Sequence, residues 1–137
     1  MRIHFFDRTE SALWVRKYHQ DYIRDTIHNT ANRRIRRYES IEDFIEYGLV
    51  DWQPIWRESL ERIVRECTRR LWSWRRWLAA TSWKFIAIDE SVVDDGMPHT
   101  IHDAIVLPTW LIKEFQDTPP PLKSIETLLH EKIHTLQ

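Results

Sequence analysis

Glycine is scarce in this chain of 137 residues, which has only Gly48 and Gly96. So few leave no glycine-rich loop whose backbone N–H groups could cradle a phosphate. They also argue against a many-stranded sheet built on tight turns, and suit a helix-rich fold. Cysteine is scarcer still. With Cys67 alone, no intrachain disulfide can form and nothing supports an oxidising compartment. Long apolar runs are missing as well. The opening MRIHFFDRTE has none of signal-peptide length, and no stretch approaches the roughly 18 residues of a membrane-spanning helix. The chain reads as a cytoplasmic (intracellular) soluble protein with no membrane partner.

Tryptophan, by contrast, is abundant. Eight Trp residues favour a packed core over disorder, since each can bury a large apolar area. The net charge of −1 is unevenly spread: residues 1–84 carry 17 Lys and Arg against 12 Asp and Glu, residues 85–137 only 3 against 9. The basic half raises the question of nucleic acid. Its most basic run, Arg33-Arg34-Ile35-Arg36-Arg37, has no interleaved aromatics for base stacking and reads as a charged helix end. Solvated helix faces account for the rest, so nucleic acid is not an expected partner.

The elements follow from spacing. Residues 10–37 read as one or two polar helices, with Leu13, Val15, Tyr18, Tyr22, Ile23 and Ile27 near helical spacing. A short helix over 40–48 has Ser40 as its cap and Gly48 as its stop. The longest apolar stripe is Trp56, Leu60, Ile63, Cys67, Leu71, Trp74 and Leu78, with Pro54 in the first turn. Arg62, Arg65, Arg69 and Arg76 fall opposite. Cys67 lies inside the stripe and reads as a small buried hydrophobe rather than a nucleophile. Residues 83–89 and 103–108 read as strands, with a turn at Asp94-Asp95-Gly96 between them. A short helix over 110–116, capped by Thr109, precedes the proline-rich link Thr118–Pro121. The last helix starts near Pro121 with Leu122, Ile125, Leu129, Ile133 and Leu136 as its apolar side. The fold class is α+β: a helical N-terminal region (1–82), then a small sheet and a last helix (83–137), in one continuous domain.

That last helix carries His130-Glu131-Lys132-Ile133-His134, an H-E-x-x-H spacing. Residues four apart share a helix face, so both imidazoles can reach one Zn²⁺, with Glu131 between them as general base. The wheel sets both His residues at the flanks of the apolar stripe and Glu131 further round, toward solvent.

The segments MPHTIHDAIVLP and TLLHEKIHTLQ resemble the zincin-like metallopeptidases encoded by large DNA viruses, in which an M-P-x-T strand precedes an H-E-K-[IV]-H helix. The likeness covers residues 83–137. Thr127, Leu128, Ile133, Thr135 and Leu136 agree with the wider zincin pattern around the motif, and Lys132 departs from it. The resemblance implies a virus-encoded, zinc-dependent peptidase acting on a peptide or protein substrate. His130 and His134 would be metal ligands, Glu131 the catalytic base, and residues 103–108 an edge strand lining the cleft.

A hydrolytic zinc site takes three protein ligands and a water. A metzincin would place Gly at 137, which is Gln137. A gluzincin draws its third ligand from a later helix, so the expectation is a C-terminally incomplete site. His99, His102 and, less well, Asp103 are upstream rivals for that ligand; His4, His19 and His28 read as surface residues. The alternative to an enzyme is a helical interaction module with a degenerate or incomplete zincin site. It would dock a protein through the Trp-rich helix 54–78 or nucleic acid through its Arg face.

Overall fold

The strand WKFIAI organises the molecule. In the computed structural model it forms β3 (Trp83–Ile88), with Trp83, Phe85, Ile86, Ala87 and Ile88 fully buried. Only a strand covered on both faces carries so continuous an apolar run. The structure describes residues 2–18, 41–72, 76, 80–90 and 97–136, the side chains at 41, 43, 71 and 72 excepted. The elements around β3 are β1 (Ile3–Phe5), α1 (Arg8–Tyr18), α2 (Ile41–Gly48), β2 (Leu49–Val50), α3 (Pro54–Trp72), β4 (His99–Ile101), β5 (Ala104–Pro108), α4 (Thr109–Glu114) and α5 (Leu122–His134). The fold is α+β, with helices on both sides of a mixed five-stranded sheet.

On one side β3 pairs in parallel with β5, Phe85 opposite Ile105 and Ala87 opposite Leu107. On its other side β1 runs parallel beside Trp83–Phe85, and β2 antiparallel beside Ala87–Ile88. The front half is therefore not helical throughout, as expected of residues 1–82, but supplies two short strands. β4 runs antiparallel to β5 and forms the sheet edge. Residues 103–108 are not that edge, against what the resemblance implies. Instead β5 lies between β3 and β4 with all five residues buried, because its apolar run AIVLP can be satisfied only with both faces covered. The β4–β5 turn is His102-Asp103. His102 takes φ 58°, a left-handed conformation that two-residue hairpins require and that His tolerates better than most residues.

Alternation along the strands divides the core. Phe44, Val15 and Leu49 pack with Ile86, Ile88, Ala104 and Val106 on the face covered by α1 and α2. Trp56, Leu60, Ile63, Cys67, Leu111, Phe115 and Leu128 pack with Trp83, Phe85, Ile105 and Leu107 on the other. The described part of the α3 stripe is thus buried as the spacing predicts. The Leu71 side chain, Trp74, Leu78, Ser40, the 33–37 run, His19, His28 and the 94–96 turn lie outside what the structure describes. Pro108, not Thr109, occupies the cap position of α4, while Thr109 Oγ1 accepts from the Glu90 backbone N–H (3.2 Å).

α5 departs most from expectation. Its buried residues are Ser124, Leu128, Glu131 and Lys132, whereas Leu122 and Ile133 are 71% and 50% exposed. Ile125 and Leu129 are only partly buried. With α3 and α4 packed on the same core cluster, α5 meets β4 and the start of β3, where polar atoms need partners. Each inward polar side chain has one: Ser124 Oγ donates to Glu114 Oε2, Thr100 donates to Glu131, and Lys132 donates to the Ser82 carbonyl. A polar face so satisfied can be buried at little net cost.

Candidate metal centre

The H-E-x-x-H spacing is realised on the last turns of α5. His130 and His134 are exposed, and their Nε2 atoms approach to 2.9 Å with the rings edge to face. One donor atom from each of His130, Glu131 and His134 falls within a group no wider than 4.8 Å. Zn–N bonds of about 2.0–2.1 Å at a tetrahedral angle set two nitrogens about 3.3 Å apart. Opening the imidazole pair by about 0.4 Å meets that spacing, so the donor set and its bite suit a zinc ion. Among the described residues no other group of three such side chains converges in this way.

Glu131 does not point to solvent. It is 7% exposed, and the Thr100 hydroxyl donates to its Oε2 at 2.8 Å. The same hydroxyl lies 3.2 Å from the Glu131 carbonyl oxygen. The strand facing the motif helix is therefore β4. His99, Thr100, His102, Glu131 and His134 line one open cleft of about 400 Å³.

The upstream histidines share the cleft but stand outside the three-residue donor group. His99 Nδ1 donates to the Met97 carbonyl at 3.0 Å. His102 stacks flat on Tyr18, centroids 4.4 Å apart. Asp103 is engaged by Lys84 Nζ at 2.6 Å. His4 is a surface residue bonded to Glu10.

Lys132, the residue that departs from the zincin pattern, turns inward. It is 1% exposed, with its ammonium over the Trp83 ring (4.7 Å) and 2.7 Å from the Ser82 carbonyl. Burial pushes its pKa down to about 8, Asp103 opposing the shift and Lys84 adding to it. The charge thus faces the sheet and leaves the cleft to the imidazoles. Thr100 was not singled out from sequence; its only signal was its place in the M-P-x-T segment before β5.

The alternative reading draws on the Trp and Arg residues of α3. Trp56 is core, and Arg65, Arg69 and Arg70 pair with Glu61 and Glu66 along the outer face of α3. Burial pushes the Cys67 thiol up, as befits an inert core residue. Among the described residues no helix is long and apolar enough to cross a membrane.

Two imidazoles one helical turn apart, with a buried carboxylate between them beside an edge strand, make a donor group that could hold a metal ion. Comparison with known proteins adds nothing to it: no family model, curated protein or solved structure matches the chain.

Proposed function

We propose that the chain is a zinc-dependent peptidase whose site is His130, Glu131 and His134. The observation that carries this reading is the 2.9 Å approach of the two Nε2 atoms beside the Glu131 carboxylate, which lines the same cleft as His134. His130 and His134 would hold the metal through Nε2. When bound, zinc supplies Lewis-acid polarisation of the scissile carbonyl and makes a water more acidic. Glu131 takes the proton of the water that attacks the carbonyl carbon. It returns that proton to the amide nitrogen as the C–N bond breaks, so that water and peptide become acid and amine. β4, at the sheet edge, suits an extended peptide, which could add its backbone there.

The test is a zinc titration by calorimetry together with cleavage of a mixed peptide pool. The wild type is expected to take one zinc and to lose cleavage with a chelator. His130→Ala and His134→Ala should each weaken zinc binding by about 100-fold or more, since each removes one of the imidazoles. Zinc affinity unchanged in both variants would remove the reading.

A further inference from the structure

The metal donors and the base sit on one helix, yet the base is held from another element. We propose that Thr100 is a positioning residue for Glu131: its hydroxyl, presented by the edge strand, fixes the carboxylate by one oxygen and leaves the other to the cleft. This rests on the peptidase reading above and adds a residue that the H-E-x-x-H pattern does not contain.

The geometry is specific. Thr100 Oγ1 lies 2.8 Å from Glu131 Oε2, a good hydroxyl–carboxylate distance, and 3.2 Å from the carbonyl oxygen of the same residue. The single hydroxyl proton goes to the nearer carboxylate oxygen, so Thr100 holds the side chain of Glu131 while lying close to its backbone. A glutamate has three side-chain torsions, and an unheld carboxylate would spread over several rotamers. A base must instead sit within about 0.5 Å of its productive place, supported by groups that are themselves fixed.

Thr100 meets that requirement, because β4 is pinned on each side of it. The Trp14 indole N–H donates to the Ile101 carbonyl at 2.9 Å. The β4–β5 turn is held by Lys84 on Asp103 and by the stack of Tyr18 on His102. His99 bonds back to Met97 at the strand's start. Thr100 itself pairs with Ile105, a fully buried residue of the interior strand. The hydroxyl is thus tied to the core of the sheet, and α5 is docked against it through Glu131.

Thr100→Val keeps the β-branched shape and removes the hydroxyl; Thr100→Ser keeps the hydroxyl and loses a methyl. Zinc affinity, steady-state kinetics on one cleaved peptide and the Glu131 ¹³Cδ resonance of the metal-free protein would be measured for both. Thr100→Val is expected to bind zinc within about two-fold of wild type and to lose about ten-fold or more in kcat with KM little changed. Its Glu131 resonance should shift. Thr100→Ser should recover most of kcat and return the resonance. An unchanged kcat or an unmoved resonance in Thr100→Val overturns the positioning role while leaving the peptidase reading standing. A wild type that neither binds zinc nor cleaves peptide overturns both.

Discussion

Glu131 and Lys132 are neighbours with opposite signs, both buried on a helix whose neighbouring imidazoles are exposed. Each has a distinct expected phenotype. Glu131→Gln keeps the shape and the Thr100 contact but removes the base, so zinc should still bind while cleavage falls by about 100-fold or more, measured as kcat. Equal loss of zinc would instead make Glu131 a ligand. For Lys132 the sign follows from burial, which lowers its pKa from 10.5 to about 8. Between those values the native state has shed a proton that the unfolded chain still binds, so stability rises with pH through that window. The gain is on the order of 1 kcal/mol, read by urea unfolding of metal-free protein at about pH 7.5 and about pH 10. Lys132→Met should flatten the rise; a rise of the same size in that variant would assign it elsewhere. The motif residues were legible because five letters at fixed spacing place donors on one face. Thr100 was not, since a threonine in a strand signals only β-propensity.

At the scale of elements, α5 shows why apolar spacing alone chose the wrong face. Leu122, Ile125, Leu129, Ile133 and Leu136 form a regular stripe, yet the helix buries Ser124, Leu128, Glu131 and Lys132. The rule assumes an apolar surface opposite, and α5 docks where the sheet presents Thr100 and the Ser82 carbonyl. Substitution can separate the two faces. Leu128→Ala is expected to cost about 2–5 kcal/mol in chemical unfolding, from lost burial and the cavity left behind. Ile133→Gln, half exposed, should cost less than about 0.5 kcal/mol. The reverse order would restore the stripe as the inner face. The same lesson applies to β5: its apolar content identified a strand, and its lack of polar alternation was the mark of an interior one. β4 was missed because three residues, His99–Ile101, are too few to show a period.

For the whole molecule, the α+β class, the central strand and the long helix were legible because each runs long enough for its period to register. What was not legible is how the first strand finds its place in the sheet. β1 pairs with β3 across some eighty positions, and Phe5 packs against Trp52 and Phe85 at centroid distances of 4.9 and 5.6 Å. Nothing local in IHF announces that pairing; it is fixed by the open edge of β3. Phe5→Ala should therefore lower stability by about 1–3 kcal/mol and flatten the near-ultraviolet dichroism of the Trp52 environment. A change confined to the first residues would detach β1 from the core.

The core also holds a clock. Cys67 is the chain's single thiol and is 7% exposed within the α3 face of the core. A thiol reagent in solution can meet it only when that face opens, so the rate of labelling counts excursions out of the native state one molecule at a time. The reading needs no engineered site, and no second label can confuse it because each chain offers one thiol.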